Sequence, residues 1–452
     1  MNKNDIITVT IDNITIEGAG VGRCNGMVIF VPFAAVGDVL DVRIVKKNSS
    51  FCYGRIEKII VPSANRISPD CPAFGKCGGC VFRHISYEAE LQAKSEMIRS
   101  AFTRIGGLDP VFLPIIPNTC IDGYRNKAQY PIGRDSSGKI TGGFYSARSH
   151  RIVPCSDCKL QNAVFGEILN EAIRLCTELG ISPYNEELHN GVMRHICIRR
   201  GHYSGEINVV LVVRRNVPEL KKLAYSLKKA FPDIRGVSAN INKDKTNVIY
   251  GSDDILLCGD ADITDTMLGK TFTISPKSFY QVNTPMAERL YCEAKKLADA
   301  DGKTLIDLYC GIGTVGLSVS DGASELIGVE IIPSAVENAR KNAKMNGCTN
   351  SEFYLGDAGR VTSLLREKGI KADVITVDPA RKGCDTETLD NICAFEPERI
   401  VMISCNPATA ARDCSYLGKR GYRTVSVQGV DLFSRTAHIE SVVFIIRDGS
   451  GQ

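Results

Sequence analysis

Apolar and polar positions alternate with a period of two through the first sixty residues, beginning with Ile7, Val9 and Ile11 on one face. MVIFVPF, VLDVRIV and YGRIEKII continue the pattern, and Gly18, Gly20, Gly22, Gly26 and Gly37 punctuate it. Short alternating runs broken by glycine predict strands and tight turns, hence a small β-barrel of the oligonucleotide-binding kind. GAGVGRCNG does not fit a dinucleotide fingerprint, because its glycine spacing differs and no long helix follows. After a cysteine-rich loop the period lengthens. Leu91, Lys94, Met97, Ile98 and Phe102 recur at near-helical spacing. This helix, over 88–104, can pack on the C-terminal part of the chain although its position is central. From Tyr124 to Gly205 strand-like runs alternate with one helix near 165–179. INVVLVVRR reads as a buried strand, and VPELKKLAYSLKKAF as a helix with a basic outer face.

From about Lys270 the pattern becomes a regular alternation of strand and helix. TLIDLYCGIGTVGLSVS is strand, glycine loop and helix; ELIGVEII is a strand followed by the helix PSAVENARKNAKMNG. ADVITVDP and RIVMISCNP are further strands ending in polar loops. This predicts a doubly wound, mostly parallel α/β sheet with its sites at the carboxyl ends of the strands. The chain therefore reads as multidomain: a barrel over 1–60, a central α+β domain over 61–270 and an α/β domain over 271–452.

Composition adds exclusions. With 44% hydrophobic and 23% charged residues, the chain is neither disordered nor collagen-like. No apolar run approaches the ~18 residues of a membrane span, and the start lacks a signal-type apolar core. A soluble cytoplasmic protein, with no membrane partner, is the expectation. The net charge of +4 is too mild to announce nucleic acid. It hides two basic stretches, 125–159 and 191–230, offset by five aspartates between Asp253 and Asp265. Either stretch can lie on a phosphate backbone or be a solvated face. The 18 cysteines do not read as a disulfide framework; metal ligation, catalysis and packing divide them.

Asp307-Leu-Tyr-Cys-Gly-Ile-Gly-Thr314 lies where the first strand of the α/β domain hands over to a helix. Gly311 and Gly313 permit close approach of a ligand, and Glu330, ending the second strand, can accept hydrogen bonds from two ribose hydroxyls. Asp-x-x-x-Gly-x-Gly with an acidic second strand looks like motifs I and II of S-adenosylmethionine-dependent methyltransferases; a nicotinamide site fits the glycines less well. Asp357, after the third strand, falls where such enzymes meet adenine. Asp378 follows the fourth strand and Cys405 the fifth. A thiol at such a strand end suits methylation of an unreactive carbon, such as carbon 5 of uracil or cytosine. That chemistry also needs a base for the carbon 5 proton, and Glu440 precedes the last apolar strand. The bland alternative for Glu440 is a strand-edge carboxylate.

Cys71-x5-Cys77-x2-Cys80 lies in a glycine-rich loop, and Cys155-x2-Cys158 follows later. Two fillings are open: zinc on Cys77, Cys80, Cys155 and Cys158, or a [4Fe–4S] cluster on Cys71, Cys77, Cys80 and Cys158.

The motifs FYQVN (279–283), DLYCGIGTVGL (307–317), VDPARKG (377–383), SCNPATAARD (404–413) and HIESV (438–442) follow one another through the C-terminal part, and the resemblance they carry covers essentially the whole chain. Together they resemble the bacterial 23S rRNA (uracil-5-)-methyltransferases, a family with an N-terminal TRAM domain. Ala380 stands where many relatives have a second proline. The resemblance implies a class I, Rossmann-like methyltransferase domain, with Cys405 as nucleophile and Glu440 as base. It assigns Gln281, Tyr309, Glu330 and Asp378 to S-adenosyl-L-methionine, beside Asp307, Gly311, Gly313 and Asp357. It also favours the [4Fe–4S] filling on Cys71, Cys77, Cys80 and Cys158, which leaves Cys155 spare. The implied substrate is a uridine in a single-stranded loop of 23S ribosomal RNA, methylated by a monomer. An RNA chaperone with a relict pocket is disfavoured by the intact Cys405, Asp378 and Glu440. Enzymes of the transfer-RNA T-loop usually lack the barrel and cysteines, and cytosine-5 enzymes carry different nucleophile loops.

Overall fold

The computed structural model describes residues 1–449, and these gather into two compact units. One comprises Met1–Thr119, Ala380–Cys384 and Met402–Asp448; the other comprises Cys120–Pro379 and Asp385–Val401. No helix among the described residues is long and apolar enough to cross a membrane.

In the first unit the strands Ile6–Ile14, Ala19–Cys24, Met27–Pro32, Val39–Lys47 and Phe51–Val61 close a barrel. Val9, Ile11, Ile29, Val31, Leu40, Val42 and Ile44 fill it, as the period of two predicts. A Cβ on Gly22 would lie 2.2 Å from Val9 Cγ1 and 2.6 Å from the Thr10 carbonyl. This glycine therefore serves close strand packing, not a nucleotide. Asp38 is fully buried. Burial alone would raise its carboxyl, but Arg66 and the N–H groups of Ala35 and Ser63 hydrogen-bond it and hold it below the ordinary range.

The helix Tyr87–Ser100 starts where Ser86 Oγ accepts the Ala89 N–H, and it continues into a wide turn, Ala101–Gly106. Met97, Ile98 and Phe102 are buried, as their spacing predicts, and so is Lys94. The Lys94 ammonium donates to Glu90 Oε1 (2.8 Å), Asp431 Oδ1 (2.6 Å) and the Phe433 carbonyl (3.1 Å). Asp431 Oδ2 also accepts the hydroxyls of Tyr87 and Ser434, each at 2.7 Å. Glu90 Oε1 accepts the Arg435 N–H (2.6 Å), and the Arg435 carbonyl accepts those of Val81 and Phe82. The helix thus shares a unit with the end of the chain. There the strand Tyr422–Val430 pairs antiparallel with Glu440–Arg447 and parallel with Val111–Ile116.

The second unit holds a seven-stranded sheet in the order Asp253–Gly259, Ile234–Ile241, Ile207–Val213, Met193–Arg200, Lys127–Arg134, Ile140–Tyr145, Ile152–Pro154. The helices Ala163–Glu178 and Glu219–Ala230 contribute to its core. Ile207–Val213 is buried throughout, as its unbroken apolar run predicts. Leu220, Leu223, Ala224 and Leu227 turn inward while Lys221, Lys222 and Lys229 remain exposed. The same unit carries four parallel strands, in the order Ser351–Leu355, Glu325–Glu330, Thr304–Leu308, Val374–Val377. The chain order reverses at Thr304–Leu308, the switch point where such sheets open a crevice.

Lys94→Met keeps the shape of the side chain but leaves Glu90 and Asp431 buried without their cation. The expected cost is about 3–5 kcal/mol in urea unfolding. Adding Glu90→Gln and Asp431→Asn to the same chain should recover much of it. An unchanged midpoint for the single variant would show that water already compensates the two carboxylates.

Candidate active site

The switch-point loop is built around Asp307. This carboxylate is buried, and it accepts the Gly316 N–H (2.8 Å) and the Thr376 hydroxyl (2.7 Å). Burial pushes it up to about 7 in spite of those donors. Both its oxygens hold protein, so its part in the pocket is to fix the loop. A Cβ on Gly316 would sit 2.8 Å from Asp307 Oδ2, a requirement the spacing of Gly311 and Gly313 does not reveal. Tyr309 has φ 64°, Gly311 φ 57° and Gly313 φ 84°, so the backbone turns tightly through the left-handed region here. Glu330 is half-buried at the end of its strand and accepts the N–H groups of Gly311 (3.0 Å) and Ile332 (2.8 Å). Each of its oxygens keeps a lone pair for a further donor. Asp357 caps the helix Ala358–Glu367 through Gly359 N–H and Arg360 N–H. Asp378, after Val374–Val377, is pushed up to about 7 by burial and by the Asp307 charge.

A second loop enters the same unit. Gln281 is buried, and its carbonyl and that of Val282 accept from the Asn126 side chain and N–H, at 2.9 and 2.8 Å. Arg199 is also buried, donating to the carbonyls of Ser275 (3.3 Å) and Ser278 (2.7 Å). Arg194 likewise donates to the carbonyls of Asn242, Asp244 and Thr246. These two arginines belonged to the basic stretch weighed as a phosphate contact, and the structure gives them loop-holding duties instead. Asn126 escaped sequence reading because an isolated asparagine carries no pattern. Phe279 on this loop is 66% exposed, a large aromatic surface that packing does not explain. Glycine-mediated backbone turns, a half-buried acidic strand end and a deep carboxylate together fit a nucleoside-bearing cofactor such as S-adenosylmethionine.

In the first unit Cys405, half-buried, follows the strand Arg399–Ser404 and precedes Asn406, which caps the helix Pro407–Gly418. Asn406 Nδ2 donates to the Arg381 carbonyl (2.9 Å), and Asp413 accepts the Cys384 N–H (2.9 Å). The segment 380–384 is thereby tied to the loop of Cys405 and Asn406. Glu440 is buried at the start of its strand. Ser441 Oγ donates to the Ser404 carbonyl (3.2 Å), so the immediate neighbours of Glu440 and Cys405 are bonded to each other. His438 Nε2 lies 3.2 Å from an Arg381 guanidinium nitrogen.

Among the described residues, no group of three or more His, Cys, Asp or Glu side chains converges as metal ligands do. Cys71, Cys77 and Cys80 lie on a turn-rich loop of the first unit, where Cys77 Sγ takes the Gly79 N–H at 3.3 Å, and Cys158 belongs to the second unit. The four are partly accessible, whereas Cys155 is buried.

Comparison with known proteins agrees with this geometry. Residues 86–448 match the model of the tRNA (uracil-5-)-methyltransferase family, and residues 2–56 match the TRAM domain. An uncharacterized RNA methyltransferase of Halalkalibacterium halodurans is 42% identical over 448 residues, 98% of each chain. One from Bacillus cereus is 39% identical over 452 residues, covering 99% of this chain and 98% of its own. The crystal structure of Pyrococcus abyssi tRNA (uracil-54, C5)-methyltransferase with S-adenosyl-L-homocysteine superposes with a TM-score of 0.77. It is 25% identical, and the match covers 97% of this chain and 99% of that one. The chain belongs to the tRNA (uracil-5-)-methyltransferase family, with an N-terminal TRAM domain, and is an S-adenosylmethionine-dependent RNA (uracil-5-)-methyltransferase.

Proposed function

We propose that this enzyme methylates carbon 5 of a uridine in 23S ribosomal RNA through a covalent adduct between Cys405 and carbon 6. The bond between Ser441 and the Ser404 carbonyl carries the reading, because it couples the strand ends of the thiol and the carboxylate that the reaction needs. Carbon 5 of uracil is a weak nucleophile. Addition of the Cys405 thiolate at carbon 6 converts the ring to an enolate, and its carbon 5 takes up a methyl group. S-adenosylmethionine, when bound, supplies that methyl in electrophilic form. Glu440 then accepts the proton from carbon 5, and the electron pair left behind expels the thiolate. The N-terminus of the helix Pro407–Gly418, two residues beyond Cys405, favours negative charge there. Gln281, Tyr309, Glu330 and Asp378 hold the cofactor, with Asp357 toward its adenine and Asp307, Gly311 and Gly313 shaping the loop. Phe279 offers a stacking face to an unpaired base. The target uridine is unstacked to reach the thiol, which suits a single-stranded loop. The TRAM barrel adds RNA affinity, and the enzyme works as a monomer in the cytoplasm.

A second target has a specific observation behind it. The Pyrococcus abyssi enzyme, whose name specifies tRNA uracil-54, matches nearly the full length of this chain, barrel included. The front half therefore does not by itself count against transfer RNA. Ribosomal RNA stays the preferred reading on the combined motifs.

The [4Fe–4S] cluster is proposed on Cys71, Cys77, Cys80 and Cys158. Their partial accessibility and the burial of Cys155 suit this choice of four. No step of methyl transfer passes through it.

Cys405→Ala should abolish methylation while RNA binding survives, and RNA containing 5-fluorouridine should trap a covalent complex with the wild type only. Glu440→Gln should accumulate the methylated adduct; normal turnover by either variant would refute the assigned role. Mapping 5-methyluridine in ribosomal and transfer RNA from cells with and without the gene decides the substrate. Loss confined to the T-loop would transfer the assignment to tRNA. Anaerobically purified protein should carry about four irons per chain, and about one zinc with no visible absorption would replace the cluster by zinc.

A further inference from the structure

Apart from the candidate cofactor residues, the second unit contains a cleft of about 770 Å³, bordered by Tyr145, His150, Glu186, His195, Arg134 and Arg151. Four features of its walls stand out chemically. The rings of Tyr145 and His150 are stacked, with centroids 5.3 Å apart and planes at 25°. Half of the His150 side chain, 53%, is nevertheless exposed, so one ring face is free for a further partner. Glu186 lies with Oε2 2.5 Å from His150 Nδ1 and is itself 43% exposed. His195, edge-on to Tyr145, is 92% buried, yet its Nδ1 has no hydrogen-bond partner. Burial lowers the His195 pKa to about 4 and the Arg194 charge adds to this, so the ring is neutral and offers one donor and one acceptor nitrogen. Arg134 and Arg151 are exposed at the mouth.

An unpartnered polar atom at this depth is uncommon in a finished core, because leaving it unsatisfied costs free energy. That nitrogen is sealed from solvent and out of a ligand's reach, so the polar demand on a ligand's edge comes from Glu186, whose carboxylate is 43% exposed. To use the stacked pair it must be flat and aromatic on its face, and to use the two arginines it must be anionic at its outer end. A nucleotide meets all three conditions. Asp135 and Glu187 also line the cleft, but Asp135 is engaged by Ser137 and by the Lys139 N–H.

We propose that this cleft binds one unpaired nucleotide of the RNA substrate, its base on the Tyr145–His150 pair and its edge toward Glu186. Held there, a nucleotide other than the methylated one sets the register of the RNA, so the cleft selects substrate without touching the reacting atoms. The inference rests on RNA being the substrate, whichever RNA it is.

The test uses the full chain with saturating S-adenosylhomocysteine and the four nucleoside monophosphates as probes. Saturation-transfer signals from the preferred monophosphate should fall at least about five-fold in Tyr145→Ala. They should fall likewise in Glu186→Ala and persist in Tyr145→Phe. Equal signals from wild type, Tyr145→Ala and Glu186→Ala overturn the proposal. With a methylatable RNA, Tyr145→Ala should raise KM at least about five-fold, with kcat and S-adenosylhomocysteine affinity unchanged. A loss of kcat or of S-adenosylhomocysteine binding at constant KM would mark a structural role and also overturn it. Monophosphate binding by a protein that methylates neither ribosomal nor transfer RNA would sink the substrate reading and leave the cleft standing.

Discussion

A single buried ammonium organises the part of the molecule that carries Cys405 and Glu440. Lys94 sits on the inward face of a helix, fully removed from water, between two carboxylates. A charge at that depth persists only when it is paired and its remaining hydrogen-bonding capacity is used. Here all three protons of Nζ find acceptors, and the third acceptor is the carbonyl of Phe433. Asp431, Phe433, Ser434 and Arg435 are thereby fixed to a helix more than three hundred positions earlier in sequence. This segment leads directly into Thr436, His438 and Glu440. Its Arg435 carbonyl also anchors Val81 and Phe82, immediately after the cysteine-rich loop. One ionic contact therefore sets the approach of the strand that begins at Glu440 and the seat of the cysteine loop. A hydrophobic side chain at 94 would fill the space but would not choose this arrangement over a shifted one, which is the specificity that buried polar groups can confer.

Much of this was legible in the sequence where a period or a spacing enforces it. The barrel followed from alternation, the buried central strand from an unbroken apolar run, and the doubly wound sheet from strand–loop–helix repetition. Lys94 shows where such reading stops. It falls on the apolar spacing of Leu91, Met97 and Ile98, and nothing local says whether it snorkels outward or is neutralised inside. The answer lies at Asp431, beyond the reach of any periodicity. The association of Val111–Ile116 with Tyr422–Val430 is invisible for the same reason, since pairing between distant segments leaves no mark on either one.

The basic stretches illustrate a different limit. Charge counting treats every arginine as a surface cation. Arg194 and Arg199 are both buried, and their guanidinium groups close loops by donating to backbone carbonyls. Arg199 matters to the site in that role, because Ser275 and Ser278 lie on the loop that delivers Phe279 and Gln281. Arginine suits the task because its planar fork satisfies several carbonyls at fixed angles, and lysine would not replace it geometrically. Sequence identified the loop by its motif but not what holds it.

The charge balance has the same character. A formal +4 over 452 residues is an average of cations that cap carbonyls, cations paired with carboxylates and cations left to water. Only nitrogens left to water can meet a phosphate, as on Arg134, which gives one nitrogen to the Gly138 carbonyl and remains exposed. Removing Arg194 and Arg199 from the count weakens the case for a phosphate track over 191–230. It strengthens the case for the two successive hairpin turns that carry Arg134 and Lys139, and Arg148 and Arg151, all of them exposed. Steering of RNA by net charge is weak in such a protein, so affinity must come from local contacts in which a few exposed cations act together with aromatic faces. That places the weight of substrate choice on shape and stacking, and makes base-sized clefts rather than electropositive surface the features to which specificity belongs.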